Sequence, residues 1–96
     1  MPTMNKLSTY CTTIGQADNR TVITYHSTAI VEFDADTITL RTGGWDTVTT
    51  RRKMNQAAVQ FGLRYAVFRD KGESFIRLPD GSTMPLERTQ TFNRYA

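Results

Sequence analysis

The chain has 96 residues, of which 39% are hydrophobic and 22% are charged, and its formal net charge is +3. This composition is typical of one folded domain and excludes a chain that is disordered throughout. One cysteine and one histidine exclude an internal disulfide and a zinc site of the usual Cys/His type, so we expect no metal or other cofactor. No apolar run is long enough to span a bilayer and the N-terminus lacks a secretory signal, which predicts an intracellular, soluble protein without membrane contact.

The first half of the chain is predicted to form strands. Residues 1–20 are polar and weakly patterned, so they fit either a loose arm or an extra strand. From residue 21 onward β-branched and aromatic residues are frequent, and the segments AIVEFD and TITLRT flank a turn, which predicts a hairpin. Apolar residues alternate along this hairpin, so one face of it should be buried. The residues expected on that face are Ala29, Val31, Phe33, Ile38 and Leu40.

A single helix is predicted after Gly43 and Gly44, from about Val48 to about Phe61. Its apolar residues recur at the spacing of an amphipathic helix: Met54, Ala57, Ala58 and Phe61. Polar and charged residues are expected on its outside: Arg52, Lys53, Asn55, Gln56 and Gln60. Four residues are suitable N-caps, namely Asp46, Thr47, Thr49 and Thr50. Gly62, followed by Leu63, is suited to a left-handed cap at the C-terminal end.

Three further strands are predicted after the helix, in the segments LRYAVFR, SFIRL and TMPL, with tight turns at DKGE and PDGS. Pro85 lacks a backbone donor, which places the last strand at a sheet edge. The predicted fold is therefore α+β: an antiparallel sheet of five or six strands in the order β-β-β-α-β-β-β, with the helix packed on one face. Residues 21–86 form this domain, and residues 87–96 are interpreted as a C-terminal tail.

Short motifs in residues 24–76 resemble a group of small proteins encoded by tailed phages and prophages. The shared pattern is a YHxT opening, an ITL strand, a GGW turn and a helix start of the form TTxxxMNQ, followed by a strand hairpin. In this chain the motifs occupy Tyr25 to Thr28, Ile38 to Leu40, Gly43 to Trp45 and Thr49 to Gln56. Lys53 stands where arginine is commoner, and both ends of the chain lie outside the resemblance. The resemblance implies a phage or mobile-element origin and carries no particular activity with it.

Residues 43–56, GGWDTVTTRRKMNQ, place three cations where the helix begins. Backbone N–H groups already make a helix N-terminus positive, so cations there are unfavourable by roughly 0.3 to 1 kcal/mol. A bound phosphate would reverse this effect, because it accepts hydrogen bonds from N–H groups, hydroxyls and arginine. Between residues 41 and 69 the chain has six cationic residues and one acidic residue, which also favours an anionic partner. The predicted phosphate- or nucleic-acid-binding residues are Trp45, stacking on a base, with Thr49, Thr50, Arg51, Arg52 and Lys53.

The same residues also fit a purely structural interpretation. The glycines would complete a strand-to-helix turn, Trp45 would fill the core, the threonines would cap the helix, and salt would screen the cations at the surface. A second group has the composition of a base-stacking surface, but its arginines and aromatic residues fall on both faces of the second set of strands. Its members are Arg64, Tyr65, Phe68, Arg69, Phe75 and Arg77. Sequence alone leaves both alternatives open.

We expect a binding protein and no enzymatic activity. His26 is a conceivable general base, but a strand histidine beside hydroxyl residues is more often a hydrogen-bonded side chain. The sequence contains no nucleophile elbow, P-loop or paired-carboxylate spacing.

Two functional hypotheses follow from these patterns. The first is a phage-borne accessory or counter-defence protein in the host cytoplasm, which binds nucleic acid, a nucleotide signal or a nucleic-acid-handling host protein through the basic helix N-terminus. The second is a protein-interaction module that makes no nucleic-acid contact. It would inhibit a host enzyme or form a homo-oligomer, through a sheet edge or through the tail around Phe92 and Tyr95.

Overall fold

The fold is described by a computed structural model that covers residues 12–43 and 47–94. Within these ranges eight strands and one helix follow the order β-β-β-β-α-β-β-β-β. The predicted α+β class is confirmed, and the strands form two antiparallel sheets where the sequence predicted one sheet of five or six strands. The elements are β1 (Thr12–Ala17), β2 (Arg20–Tyr25), β3 (Thr28–Phe33), β4 (Thr37–Arg41), α1 (Val48–Gln60), β5 (Ala66–Asp70), β6 (Glu73–Arg77), β7 (Thr83–Pro85) and β8 (Thr89–Asn93).

The larger sheet, sheet A, has the strand order β1-β2-β3-β4-β8. β3 and β4 form the predicted hairpin, in which Val31 pairs with Leu40 and Phe33 pairs with Ile38. β1 and β8 lie at the two edges, so the segment interpreted as an arm or extra strand and the segment interpreted as a tail each contribute a strand. Sheet A is therefore assembled from chain segments on both sides of α1.

A β-bulge at Ile30 changes which residues of β3 face the core. Ile23 pairs with Val31 while Thr24 pairs with Ala29, so Ile30 is the additional residue on β3. Ile30 and Val31 are both buried, whereas Ala29 is only half-buried. The expectation that Ala29 shares the buried face is wrong, because the bulge interrupts the two-residue alternation on which that expectation depends.

α1 is capped at both ends by residues that the sequence predicts. Thr47 is the N-cap, and its side-chain oxygen accepts a hydrogen bond from the backbone N–H of Thr50 at 3.1 Å. At the other end Gly62 has a φ of +65°, and the N–H of Leu63 donates to the carbonyl of Ala58 at 2.8 Å. This is the hydrogen bond of a Schellman motif that spans six residues, and it accompanies the return of Leu63 into the core.

The smaller sheet, sheet B, has the order β5-β6-β7 and is attached to α1 by two residues of the helix. Asn55 Nδ2 donates to the carbonyl of Val67 at 2.9 Å, and Asn55 Oδ1 accepts from the N–H of Val67 at 2.7 Å. One helix position earlier, the carbonyl of Met54 accepts a hydrogen bond from Tyr65 Oη at 2.6 Å. Burial raises the pKa of Tyr65, so the hydroxyl stays a donor. Pro85 ends β7, which is an edge strand as predicted.

One hydrophobic core joins both sheets and α1. The buried helix residues are Met54, Ala57 and Ala58, with Phe61 partly buried against Phe33 at 5.2 Å between ring centroids. Phe92 of β8 is 7% exposed. Phe92 therefore packs in the core, and it is not an exposed residue of a tail that could contact a partner, as the second hypothesis predicted.

An ion cluster lies across three strands of sheet A. Glu32 Oε2 contacts Arg20 Nε at 2.7 Å and Glu32 Oε1 contacts Arg41 Nη1 at 2.6 Å, while Arg20 Nη1 also contacts Asp34 Oδ2 at 2.7 Å. Hydrogen bonds from Arg41 and then Arg20 hold the pKa of Glu32 below its ordinary value. The cluster thus links β2, β3 and β4 through charge as well as through the backbone.

Replacement of this carboxylate should make stability less dependent on pH. Because the pKa of Glu32 is lower in the folded state, its contribution is complete above the unfolded-state pKa of about 4.3 and is lost as pH falls through the folded-state pKa. We expect Glu32→Gln to cost about 1 kcal/mol at pH 7, since these pairs are partly solvated, and to cost less at pH 3. Urea unfolding from pH 7 to pH 3 measures the difference, with the exposed Glu73→Gln as control. A cost that stays constant with pH contradicts the assignment.

Loss of the Asn55 side chain should destabilise the attachment of sheet B to α1. Asn55→Ala leaves the N–H and carbonyl of Val67 without their side-chain partners, which costs about 1 to 3 kcal/mol. Val59→Ala, an exposed change on the same helix, should be within about 0.5 kcal/mol of the parent protein. Chemical denaturation measures both free energies of unfolding, and equal values for the two variants would show that the Asn55 pair contributes little.

Candidate functional site

A groove of about 470 Å³ lies beside the start of α1. It is bounded by the turn between β2 and β3, by the residue that follows β4, and by the first turn of α1. Its described lining residues are Tyr25, His26, Ser27, Thr28, Ile30, Thr42, Thr47 and Thr50. Five of these eight residues carry an aliphatic hydroxyl, two carry a ring, and Ile30 supplies an apolar wall. A groove of this volume is in the range of small-ligand sites.

The helix N-terminus contributes both hydroxyls and backbone donors to the groove. Thr47 Oγ1 donates to Thr50 Oγ1 at 3.1 Å and accepts from the N–H of Thr50. The N–H groups of Val48 and Thr49 have no partner within the helix, as at every helix start. Within the helix itself no acidic residue lies in the first turn. This end of the groove therefore presents donors and a positive helix dipole.

The three cations at the helix start point in different directions. Arg52 is exposed, whereas Arg51 and Lys53 are 8% and 2% exposed. Lys53 Nζ lies 5.0 Å from the ring centroid of Tyr25, a groove residue. The prediction that Lys53 lies on the outside of the helix is wrong. Its aliphatic stem packs inward, and its ammonium group is stabilised by the ring of Tyr25.

The predicted binding residues are only partly brought together. Thr50 lines the groove and Thr49, next to it, is half-buried. Lys53 approaches the groove through Tyr25, while Arg52 is at the helix surface. Trp45 lies outside the described residues. The groove residues of β2, of β3 and of the turn between them, and Thr42 after β4, were missed as a site. Tyr25, His26 and Thr28 nevertheless belong to the same sequence pattern as the helix start.

The turn between β2 and β3 presents two rings at the mouth of the groove. Tyr25 and His26 have ring centroids 4.4 Å apart, with an angle of 52° between their planes. His26 has a φ of +56° in the two-residue turn that joins Tyr25 to Thr28. Non-glycine residues seldom adopt this conformation, and histidine is among those that adopt it more often than most. The turn thus holds a polar ring at the surface directly beside Tyr25.

Gly43 is required for the wall of the groove. Its φ is +64°, and a Cβ at this position would lie 2.7 Å from Thr28 Oγ1 and 2.8 Å from Thr28 Cγ2. The backbone after β4 therefore passes directly over Thr28, in a conformation that only glycine adopts without strain. The close approach that this glycine permits is to the protein's own β3, and Gly44 lies outside the described residues.

The second predicted surface divides between the two faces of sheet B. Tyr65 points into the core, whereas the rings of Phe68 and Phe75 stack on the other face with centroids 5.7 Å apart. Arg77 Cζ lies 5.6 Å from the centroid of Phe68. The outer face of sheet B therefore carries a small aromatic and cationic cluster, without the contribution of Tyr65.

Metal and membrane features can be assessed for the described part of the chain. Across residues 12–43 and 47–94, no group of three or more His, Cys, Asp or Glu side chains is placed to hold a metal ion. In the same ranges, α1 is too short and too polar to cross a bilayer.

Comparison with known protein families gives a match along almost the whole chain. A family model described as "Kyanoviridae Gp96 protein" matches residues 2–94. No curated protein and no solved structure matches the chain.

A methyl group at position 43 should destabilise the groove wall. Gly43→Ala adds both an unfavourable φ and a contact with Thr28, and we expect it to lower the free energy of unfolding by about 1 to 3 kcal/mol. Thr28→Ala removes the two closest atoms, so Gly43→Ala should cost less in that background. Chemical denaturation of the four proteins in this double-mutant cycle measures the coupling. Additive costs would show that the two residues do not constrain each other.

Proposed function

The chain belongs to the Kyanoviridae Gp96 family of phage proteins, and we propose that it is an accessory or counter-defence protein that binds a nucleotide or a nucleotide unit of a nucleic acid in the groove beside α1. Binding and sequestration, without turnover, is the proposed mode of action, in the cytoplasm of the host. The phosphate would lie at the helix N-terminus and the base or sugar against the rings of the β2–β3 turn.

The observation that carries this proposal is the composition of the groove at the first turn of α1. Phosphate oxygens accept hydrogen bonds, and this end of the groove offers the hydroxyls of Thr47 and Thr50 with the backbone donors of the helix start. The other end offers the faces of Tyr25 and His26, which suit a base or a ribose. One groove therefore combines the two kinds of contact that a nucleotide needs.

Electrostatics favour an anion at this position. Lys53 lies behind Tyr25 at the groove, and its charge acts through a poorly hydrated region because its side chain is almost wholly buried. Arg52 is exposed in the same helical turn and adds to the positive potential at this end of the helix. The cations that oppose the helix dipole would therefore stabilise a complex with an anion.

Substitution of the N-cap separates the charge requirement from helix stability. Asp and Asn are both good N-caps and nearly the same size, so Thr47→Asp and Thr47→Asn should each leave the free energy of unfolding within about 1 kcal/mol of the parent protein. Thr47→Asp places a negative charge in the groove and should weaken binding of an anion at least about tenfold, whereas Thr47→Asn should retain binding. Calorimetric titration with cyclic nucleotides and with labelled single- and double-stranded oligonucleotides measures the affinities.

Controls in the same titrations test the role of the basic helix start. Arg52→Ala should weaken binding and reduce its salt dependence, whereas Arg69→Ala on β5 should not. Equal affinity in Thr47→Asp and Thr47→Asn would contradict a phosphate at the helix start. Failure of the parent protein to bind any of these ligands at low salt would refute the proposal and favour a protein partner.

A further inference from the structure

Among the described residues, β1 is the longest edge strand that contains neither a charge nor a proline. Its six residues, TTIGQA, contain no charge and no proline. β7 has three residues and ends at Pro85, and β8 is flanked by Arg88 and Arg94. β5 ends in Arg69 and Asp70. Natural sheets use short edges, prolines and charges of this kind to prevent association between strands, and the six residues of β1 contain neither a proline nor a charge.

The direction of the hydrogen bonds in β1 follows from its hairpin with β2. Ala17 pairs with Arg20 across the two-residue turn of Asp18 and Asn19, whose φ angles are +52° and +68°. Residues flanking such a turn exchange hydrogen bonds, and hydrogen-bonded pairs then alternate along the ladder. Residues 13, 15 and 17 therefore bond to β2, while the backbone groups of Ile14 and Gln16 point away from it. These two residues present the donors and acceptors of the edge.

Two side-chain features of β1 are unexplained by the fold of one copy. Ile14 is 49% exposed, although its cross-strand partner Ile23 is completely buried. Gly15 occupies the middle of the strand, but a Cβ built there meets no atom within 4 Å and its φ requires no glycine. Glycine inside a strand weakens it and often marks the close approach of another backbone. Nothing in the described part of the chain makes that approach.

We propose that two copies of the chain pair through β1, antiparallel, with Gly15 on the twofold axis. In this register Ile14 pairs with Gln16 of the partner subunit and exchanges both backbone hydrogen bonds with it, and Gly15 lies opposite the partner's Gly15. The pairing joins two copies of sheet A into one continuous ten-stranded sheet. It also covers part of the exposed Ile14 side chain.

A second copy fits this edge because the strand is self-complementary. The pairing is isologous, so every donor of β1 meets an acceptor of the same strand, and no charged residue of β1 opposes another. The contact is a single strand pair and buries less surface than a standard stable interface, so the dimer forms in proportion to concentration. The proposal is independent of the groove at α1.

Disulfide trapping tests the register. In a background where Cys11 is replaced by serine, Gly15→Cys should form a covalent dimer under mild oxidation, because the two Cα atoms of a non-hydrogen-bonded pair lie about 4.5 Å apart. Thr13→Cys should not, because its partner position in the other copy is residue 17. Preferential cross-linking of Ile14→Cys over Gly15→Cys would overturn the register centred on Gly15.

A matched pair of variants tests the hydrogen-bonded edge itself. Gln16→Pro removes a backbone donor that points away from β2, whereas Gln16→Thr keeps it, and both lose the same side-chain contact with Thr21. Sedimentation velocity over a range of concentrations should show a monomer–dimer equilibrium for the parent protein and for Gln16→Thr, and loss of the dimer for Gln16→Pro. A folded parent protein that is monomeric at every concentration, or a dimer that survives Gln16→Pro, would overturn the proposal.

Discussion

The pair of hydrogen bonds between Asn55 and Val67 determines how the helix relates to the rest of the molecule. β5 is an edge strand, and the amide of Asn55 takes the place of a neighbouring strand by giving and accepting one bond at the same residue. This contact sets the rotation of α1 about its axis. With Asn55 facing β5, Met54 and Ala58 enter the core and Thr50 faces the groove. The position of Thr50 in the groove therefore depends on the Asn55–Val67 hydrogen bonds, which are made further along the helix.

The positive charge at the helix start is accommodated differently at each residue. Lys53 turns inward and is stabilised by the ring of Tyr25, while Arg52 stays in water, where its repulsion from the helix dipole is screened. The unfavourable pattern in the sequence is thus partly resolved by packing alone. What packing does not explain is the row of hydroxyls beside it, since Thr47 alone is sufficient to cap the helix.

The helix and the local hairpins could be predicted from sequence because their signals are local. The apolar spacing of α1, its caps and the turn chemistry of the β3–β4 and β5–β6 hairpins each occupy a short window. The pairing of β4 with β8 could not be predicted, because TQTFN has little alternation and its partner lies far away in the chain. The bulge at Ile30 was hidden for another reason: AIVEF has the same apolar pattern as a regular strand.

The site was predicted only at the helix end. Its other wall comes from the β2–β3 turn, from β3 and from the residue after β4. No sequence pattern predicts that a turn at His26 lies beside the start of a helix more than 20 residues later. Lys53 was wrongly placed on the surface in the prediction, because helical periodicity assigns a face to the Cα and not to the end of a long side chain. The groove is therefore a tertiary feature.

The strand order of sheet A also has a consequence for the folding pathway. β1 to β4 are joined by short turns, whereas the pairing of β4 with β8 closes a loop that contains α1 and all of sheet B. Closing so large a loop carries an entropic cost that is recovered only when its contents are already compact. β8 is therefore the strand expected to join last. Until it does, β4, which contains Ile38 and Leu40, is an unpaired sheet edge. The last step of folding would thus cover β4, the strand edge that is open to misassembly during the earlier steps.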